Sequence, residues 1–541
     1  MERNSCLFVL VFLLCVSQSV WAQQQTYFVR LKDKSSNVFL LSNPEYFLTS
    51  KALLRRQKCK VSLDEKDLPV SQTYVDQIQS TGAQILYSLK WLNGVVVRSD
   101  AAIKSQVASL PFVASTGQSV KYRVSSSSAA QENWSLHKSS QVSFNDYSYR
   151  QNEMLGMIKM KEDGYNGSGI LIAITDDGFL HADTMTAFQD LRNNGQIKDT
   201  WDIVDFDKDT YSQGGGHGTH VFSILAGYLV NQISGPGRGA DFVLFRTEDT
   251  SSESPLEELN WIRAAEIADS LGADIIQVSL GYNTFDDASL DYSQSDLDGK
   301  TSYISQGADV AATRGIVVVA SAGNFGNNSW GKILCPADAK GILSVGAVDF
   351  NKQRAAFSSI GYSADGRVKP DVMAMGANVT YVSNATGNIA YGSGTSFASP
   401  LISGLAAGLM QAYPALTHEE LIQAVKFSSD RFEAPNAHYG YGIPHYEKAS
   451  DYARLLLDKE NESVFPNPFG SHLYVKIRED QVGQSLQWKL YTVTGELVIE
   501  GEKETESSIV NLFSMGDALN SGLYYLKFSY NGHYSTFKVI K

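Results

Sequence analysis

The clearest pattern along the chain is a short apolar run that ends abruptly in polar residues. Residues 170–174 are all apolar, and Thr175, Asp176, Asp177 and Gly178 follow them. An unbroken run of this length is typical of a central strand in a parallel sheet, buried on both faces. Because ligands bind at the carboxyl ends of such strands, the pattern predicts an α/β fold with Asp176 at its functional edge.

Two later segments are typical of buried helices, and each begins at a polar residue close to glycine. Residues 401–411 are mostly small and apolar, Pro400 falls in the first turn, and Ser396 stands just before it. Residues 214–220 are rich in glycine and lead into another apolar run, so His217 is placed like Ser396. The unpaired N–H groups and the dipole of a helix N-terminus favour negative charge there, which a nucleophile and its oxyanion both need.

An acid, a histidine and a serine at the ends of predicted elements form the set that acyl transfer requires. Asp176 would orient His217 and stabilise its positive charge. His217 would take the proton from Ser396, which would then attack a carbonyl carbon. The three residues therefore predict a nucleophilic hydrolase.

Each of these assignments has an alternative. A serine that caps a helix is commoner than a catalytic one. His217 and His220 have a spacing that a helical metal site can use, but no glutamate lies between them and glycine is unfavourable inside a helix. Asp177 and Asp183 are alternative acids. Ser363 lies in a motif that resembles a hydrolase elbow but lacks its second glycine, which is more typical of a turn.

The chain resembles the subtilisin-like serine peptidases over roughly residues 147–449, both in its motifs and in the order acid, histidine, serine. The motifs are Asp176-Asp177-Gly178, His217-Gly218-Thr219-His220, Ser279-Leu280-Gly281, Ser321-Ala322-Gly323-Asn324 and the segment 394–400. The resemblance implies a catalytic triad of Asp176, His217 and Ser396. It also implies an oxyanion donor, Asn324, and a set of residues that bind an extended peptide substrate: Ser279, Leu280, Gly281, Ala322 and Gly323.

Asp177, Phe222 and Phe397 depart from the pattern of that family, and Phe325 bears on its specificity. Asp177 stands where a small neutral residue is usual, and the alternation of side chains along an extended segment predicts that it points away from Asp176. Phe325 follows Asn324 where some relatives carry a charge, which favours apolar or aromatic residues at P1, the substrate residue whose carbonyl is attacked.

Length and charge set the limits of this interpretation. With 541 residues, 43% of them hydrophobic, the chain is long enough for three domains. Its net charge of -13 argues against a nucleic-acid partner. Cys6 and Cys15 fall in an N-terminal apolar stretch, and the remaining pair, Cys59 and Cys335, lies in different predicted domains and cannot form a disulfide framework.

The N-terminal quarter predicts export and a removable module. Residues 1–22 have the composition of a signal peptide, and no later apolar run reaches the ~18 residues that span a bilayer. Residues 23–125 alternate strand-like runs (27–31 and 91–98) with helix-like runs (71–80 and 101–110), which indicates a small α+β domain. Its position and size resemble the propeptide of secreted subtilisin-like enzymes, and a permanent accessory domain is the alternative. A Ser-rich linker at 124–130 precedes the predicted catalytic domain, residues 140–455.

The last eighty residues predict a separate β-sandwich at 463–541. Alternating strands are expected at 473–477, 488–493, 523–528 and 535–540, with turns at Gly495 and Gly532. The opening and closing motifs resemble the C-terminal sorting domain of the type IX secretion system. The resemblance implies that the type IX machinery exports the protein to the surface or medium of a Bacteroidetes-type bacterium. An adhesive or carbohydrate-binding sandwich is the alternative.

Together these features predict a secreted serine endopeptidase that cleaves protein or peptide substrates through an acyl-enzyme. The alternative is a catalytically inactive surface binding protein on the same scaffold. The chemistry requires no cofactor, and no residue spacing identifies a calcium or other metal site, although relatives of this family often bind calcium.

Overall fold

The N-terminal module is an antiparallel sheet covered by helices. The computed structural model describes residues 24–35, 37–118, 120–121, 147–470, 472–514 and 519–541. The elements of the module are β1 (Gln25–Leu31), α1 (Ser50–Lys58), α2 (Gln72–Ser80), β2 (Gln84–Leu89), β3 (Gly94–Ser99), α3 (Ala101–Ala108), β4 (Val113–Thr116) and β5 (Val120–Lys121). This confirms the predicted small α+β fold. The predicted signal peptide and Ser-rich linker lie outside the described residues.

The central module is built on a seven-stranded sheet whose paired strands are all parallel, in the order β14-β13-β12-β11-β6-β10-β7. Its strands are β6 (Leu171–Asp176), β7 (Ile197–Asp202), β8 (Tyr228–Leu229), β9 (Ile233–Ser234), β10 (Asp241–Arg246), β11 (Ile275–Val278), β12 (Val317–Ser321), β13 (Leu343–Val348), β14 (Val372–Met375), β15 (Val379–Val382) and β16 (Ile389–Gly392). Its helices are α4 (Tyr149–Glu153), α5 (Met157–Glu162), α6 (Gln189–Asn193), α7 (His217–Ala226), α8 (Pro255–Leu271), α9 (Tyr303–Thr313), α10 (Thr395–Ala412), α11 (His418–Phe427) and α12 (Tyr446–Leu457). Two separate antiparallel pairs, β8-β9 and β15-β16, lie beside the main sheet.

Both faces of the main sheet are buried, which explains the unbroken apolar runs of its strands. Along β6, Ile172 and Ile174 contribute to the core on the side of α7 and α10. Leu171 and Ala173 contribute to the core on the side of α8 and α9. The α/β architecture predicted from the sequence is confirmed.

The helix α10 lies inside the core instead of covering it. All its residues from Thr395 to Met410 are buried, and Pro400 is accommodated within it. Glycine allows close packing here, since a Cβ at Gly404 would lie 2.4 Å from Pro236 Cγ and one at Gly408 would lie 2.2 Å from Met160 Sδ. Small residues in this helix therefore let it run through the middle of the module.

The C-terminal module consists of two antiparallel sheets, β17-β18-β21 and β20-β19-β22-β23, around one core. The strands are β17 (Ser463–Phe465), β18 (His472–Lys476), β19 (Ser485–Thr492), β20 (Leu497–Glu504), β21 (Ile509–Ser514), β22 (Leu523–Tyr530) and β23 (His533–Ile540). Gly495 and Gly532 have positive φ in the tight turns that the sequence predicts. The all-β prediction is confirmed. Among the described residues, no helix is long and apolar enough to span a membrane.

Aromatic rings join the C-terminal module to the central one. Phe427 ends α11, and its ring centroid lies 5.5 Å from that of Phe465 and 5.7 Å from that of Tyr474. Tyr452 of α12 lies 5.7 Å from Phe465 in the same cluster. This contact is apolar, and an ion pair between His472 and Glu433, with an N···O distance of 3.6 Å, adds to it.

The N-terminal module contacts α8 and α9 through a buried apolar cluster, which includes Phe28, Tyr87 and Trp91, and through buried charges. Arg55 and Arg56 of α1 both reach Asp269 of α8, with N···O distances of 2.5 and 3.0 Å. In the opposite direction, Arg314 of the central module pairs with Asp64 at 2.8 Å and Asp67 at 3.4 Å. The side chains of Arg55 and Asp269 are 1% and 0% exposed, so each needs the other to compensate for lost hydration. Each module thus contributes both positive and negative side chains to the interface, and their pairing fixes the relative orientation of the two modules.

We expect Asp269→Asn to loosen this interface. Removing one partner of a buried ion pair leaves the other charge uncompensated, which costs about 3 to 5 kcal/mol. Urea denaturation of the full chain, in a Ser396→Ala background that prevents self-cleavage, should show a corresponding loss in the free energy of unfolding. The matched control is Lys51→Ala, because Lys51 pairs with Asp274 at 2.8 Å but is 40% exposed, and it should cost less than about 1 kcal/mol. Equal losses in the two variants would contradict this account.

Candidate active site

The predicted catalytic segments meet at one edge of the main sheet. Because β6, β11 and β12 are parallel neighbours, their carboxyl ends lie side by side. Asp176 ends β6 and Ser321 ends β12, while the helices α7 and α10 begin nearby at His217 and Thr395. The edge therefore combines strand ends with helix N-termini, which is the arrangement that the sequence predicts.

Asp176 and His217 are in direct contact. His217 Nδ1 lies 2.7 Å from Asp176 Oδ1, and Asp176 is fully buried. The same carboxylate oxygen accepts a hydrogen bond from the backbone N–H of Asp177 at 2.9 Å. With Nδ1 held by the carboxylate, the Nε2 atom on the other side of the ring is the one available for proton transfer.

The serine lies in the first turn of α10, and the residue after it contacts His217. The ring of Phe397, the residue after Ser396, lies almost parallel to the imidazole of His217, with centroids 5.9 Å apart. Ser396 is buried, and none of the groups that the structure describes is a hydrogen-bond partner of its Oγ. Hydrogen bonds between catalytic groups are often long in enzymes without substrate and shorten when substrate binds.

The amide of Asn324 is fixed in one orientation. Its Oδ1 atom accepts hydrogen bonds from the backbone N–H of Thr395 at 2.8 Å and from Thr395 Oγ1 at 3.0 Å. A backbone N–H can only donate, so the atom that it contacts must be the amide oxygen and the Nδ2 donor points elsewhere. A Cβ atom at Gly394 would lie 2.8 Å from Ser396 Oγ and 3.6 Å from Asn324 Nδ2. The hydroxyl and the amide donor therefore border the same space, where an oxyanion would form.

The predicted substrate-binding segments are bonded to the serine motif. Ser279 Oγ donates to the carbonyl oxygen of Ser396 at 2.9 Å. The backbone N–H of Gly323 donates to Thr395 Oγ1 at 3.0 Å. Leu280, half-buried, packs against the core on the α8 side. Ala322 is buried and bonds through its N–H to the carbonyl oxygen of Val345 at 2.9 Å.

Sequence reasoning missed a buried polar network behind the serine. Gln277, inside β11, donates through Nε2 to Ser279 Oγ at 2.9 Å and to Ser399 Oγ at 2.8 Å. Its Oε1 accepts from Ser403 of α10 at 2.5 Å. The available signal was a glutamine in a run that is otherwise largely apolar, since a buried polar side chain needs partners.

The expectation that Asp177 points away from Asp176 is wrong. Atoms of Asp176, Asp177 and His217 that could bind a metal all lie within 4.8 Å of one another. Strand β6 ends at Asp176, so the alternation of side chains no longer applies at the next residue. The Asp177 carboxylate instead accepts the backbone N–H of Gly218 at 3.2 Å. Gly215 leaves room for it, because a Cβ there would lie 1.8 Å from Asp177 Oδ2.

Burial is the main cause that raises the pKa of Asp177, to about 7, and the neighbouring Asp176 carboxylate raises it further. Burial likewise lowers the pKa of His220 to about 4, which keeps that histidine neutral. His220 Nε2 contacts Asn384 Oδ1 at 2.8 Å, consistent with a structural role under the site.

Two further candidates from the sequence, Asp183 and Ser363, do not join the site. Asp183 is exposed, and Ser363 lies in a turn, where its hydroxyl donates to Asp365 at 2.6 Å. Cys59 and Cys335 are both free. Within the described ranges, the only group of three potential metal ligands is Asp176, Asp177 and His217, so the structure adds no separate calcium site to the sequence analysis.

Comparisons with known proteins agree with this geometry. The model of the subtilase family matches residues 167–442. The model of the peptidase S8 propeptide domain of Bacteroidota matches residues 26–135, and that of the secretion system C-terminal sorting domain matches residues 463–541.

Curated relatives point the same way. The chain is 31% identical to subtilisin DY of Bacillus licheniformis over 297 residues, which cover 54% of this chain and 94% of the relative. It is 31% identical to a thermophilic serine proteinase of Bacillus sp. (strain AK1) over 280 residues, or 51% of this chain and 60% of the relative. It is 29% identical to subtilisin E of Bacillus subtilis (strain 168) over 313 residues, or 56% of this chain and 73% of the relative.

The raised pKa of Asp177 predicts how stability depends on pH. Between its ordinary value of 3.8 and about 7, the folded state binds more protons than the unfolded state, so this carboxyl lowers stability as the pH rises. Asp177→Asn removes that titration. In a Ser396→Ala background, we expect the variant to be about 4 kcal/mol more stable than its parent at pH 8 and nearly equal to it at pH 3.5. Urea denaturation at the two pH values measures this, and a difference that stays constant with pH would contradict it.

Proposed function

The chain belongs to the subtilase family of serine endopeptidases, and we propose that Asp176, His217 and Ser396 are its catalytic triad, with Asn324 as the side-chain donor of the oxyanion hole. The observation that carries the proposal is the 2.7 Å contact between His217 Nδ1 and the buried Asp176 carboxylate, at the edge where α10 presents Ser396. A buried carboxylate on Nδ1 sets the tautomer in which Nε2 accepts a proton.

The proposed reaction proceeds by acyl transfer. Ser396 Oγ attacks the carbonyl carbon of the scissile peptide bond while His217 Nε2 takes the hydroxyl proton. The oxyanion forms in the space that Asn324 Nδ2 borders, and the N-terminal end of α10 favours the same negative charge. His217 then gives the proton to the leaving amine, which departs and leaves an ester on Ser396. Water, activated by His217, hydrolyses that ester and restores the hydroxyl.

The substrate is an extended protein or peptide segment. We propose that its backbone pairs with Ser279, Leu280 and Gly281 on one side and lies beside Ala322 and Gly323 on the other. Hydrogen bonds to the backbone of a strand hold a peptide whatever its sequence, so side-chain pockets must supply the specificity. Catalysis requires no cofactor.

The flanking modules fit a secreted enzyme. The N-terminal module is a peptidase S8 propeptide domain, and the C-terminal one is a sorting domain that implies export to the surface or medium of a Bacteroidetes-type bacterium. We propose domain limits of 1–22 for the signal peptide, 23–125 for the propeptide domain, 140–455 for the catalytic domain and 463–541 for the sorting domain. The contact between Asp176 and His217 disfavours the alternative of an inactive binding protein, because an unused triad would not need a buried carboxylate on Nδ1.

Labelling with a fluorophosphonate tests the nucleophile. The probe should add covalently to Ser396 of the matured enzyme, because only an activated serine attacks its phosphorus atom. Mass spectrometry of tryptic peptides locates the adduct, which should be absent from Ser396→Ala.

The control for this labelling is Ser363→Ala, which removes the other serine that the sequence suggested and should react like the parent. Asp176→Asn should slow the reaction about 10⁴-fold by fixing the wrong histidine tautomer. An adduct on Ser363, or one that persists in Ser396→Ala, would refute the assignment.

Replacing Asn324 tests the oxyanion donor. Asn324→Asp keeps the oxygen that accepts both hydrogen bonds from Thr395 but loses the N–H donor, so it separates the proposed role from a purely structural one. We expect kcat to fall about 10²- to 10³-fold with KM little changed. Peptide hydrolysis by an enzyme titrated for active sites measures both constants. A variant with full kcat would show that the oxyanion is stabilised elsewhere.

A further inference from the structure

Two glycines face each other beside the proposed nucleophile. Strands β11 and β12 are parallel neighbours, with Val278 opposite Ala320. The segments that continue from them, 279–281 and 321–323, are tied to the serine motif by the bonds of Ser279 and Gly323 described above. Gly281 and Gly323 therefore lie at the ends of two backbone segments next to Ser396, which form the two walls of the site. We call the space between these two walls the edge slot.

The side chain of Leu334 lies in the edge slot. A Cβ atom at Gly281 would lie 2.9 Å from Leu334 Cβ and 3.1 Å from Leu334 Cδ1. A Cβ atom at Gly323 would lie 2.7 Å from Leu334 Cγ and 3.0 Å from the same Cδ1. The Cδ1 methyl group of Leu334 thus lies about as close to the Cβ position of Gly281 as to that of Gly323. Both glycines are needed because the leucine occupies the room that their side chains would take.

The backbone around Leu334 is held on both sides. Its N–H donates to the carbonyl oxygen of Ala322 at 3.1 Å. The next residue, Cys335, exchanges two hydrogen bonds with Tyr282, at 2.9 and 3.2 Å. Leu334 is 5% exposed, so it is part of the packed interior. A large substrate side chain could enter the slot only by displacing a close-packed leucine, which is unfavourable.

The position of the slot determines which part of the substrate it affects. The attacked carbonyl belongs to the P1 residue, so the P1 side chain must lie beside Ser396. The two walls that flank this position are those that carry Gly281 and Gly323. We propose that Leu334 closes the P1 side of the active site and restricts this peptidase to substrates with glycine, alanine or serine at P1, an inference that rests on the proposed function.

This specificity differs from the sequence expectation. Phe325 favoured apolar or aromatic P1 residues, but the groups nearest to the Cβ positions of the two glycines belong to Leu334, Cys335 and Ser359. The apolar side chain that occupies the edge slot belongs to Leu334 of the protein itself. The apolar lining of the slot therefore does not predict an apolar P1 residue in the substrate.

A series of peptides that differ only at P1 tests the proposal. We expect the matured wild-type enzyme to cleave alanine and serine substrates with kcat/KM about 100-fold or more above those of leucine and phenylalanine. Leu334→Gly and Leu334→Ala should open the slot. In these variants kcat/KM for phenylalanine should rise about 100-fold, while that for alanine changes less than 10-fold.

Leu421→Ala is the matched control, since Leu421 of α11 is also buried but contributes to the core on the α10 side. It loses comparable packing and should keep the wild-type P1 profile. If Leu334→Gly does not fold, the wild-type profile and the smaller change Leu334→Ala still decide the question. A wild-type preference for large P1 residues, or an unchanged profile in a folded Leu334 variant, would overturn the proposal.

Active-site titration with the fluorophosphonate distinguishes a failure of the role proposed for Leu334 from a failure of the proposed function. Labelled enzyme with an unchanged P1 profile in the Leu334 variants would refute the role of Leu334 alone. Absence of both labelling and cleavage would refute the proposed function and this inference together.

Discussion

The structure depends on how the first turn of α10 is anchored. This helix is buried from Thr395 to Met410, so the backbone groups of its first turn must find partners inside the protein. Thr395 bonds to Asn324, and Ser279 bonds to the carbonyl oxygen of Ser396. One set of bonds therefore satisfies the helix end, fixes the ends of two strands and places the serine beside the amide donor. The packing of this helix and the geometry of the proposed active site therefore depend on the same contacts.

The acid pair illustrates how such a site tolerates charge. Two adjacent carboxylates in a buried position repel each other, and burial keeps the proton on Asp177 to a higher pH. The glycine-rich loop before α7 makes this arrangement possible, since a side chain at Gly215 would collide with the Asp177 carboxylate. The glycines that marked the histidine motif in the sequence thus serve the acid motif as well.

Apolar contacts attach both flanking modules to the central one. Phe28, Tyr87 and Trp91 of the N-terminal module share a buried cluster with α8 and α9, and aromatic rings join the C-terminal module to α11 and α12. The N-terminal interface differs by its buried arginine and aspartate side chains, which become well hydrated again once the two surfaces separate.

The sequence by itself determined the α/β and all-β classes, the order of the motifs and the three residues at the sheet edge, because unbroken apolar runs and glycine-flanked polar residues are local signals. It missed β20 (Leu497–Glu504), whose mostly exposed and strongly acidic residues show no clear alternation. Only the tertiary structure decided that Asp177 turns toward Asp176 and His217 and that Leu334 fills the slot between Gly281 and Gly323. Both outcomes depend on which groups meet in space, and residues far apart along the chain carry no local pattern that reveals such contacts.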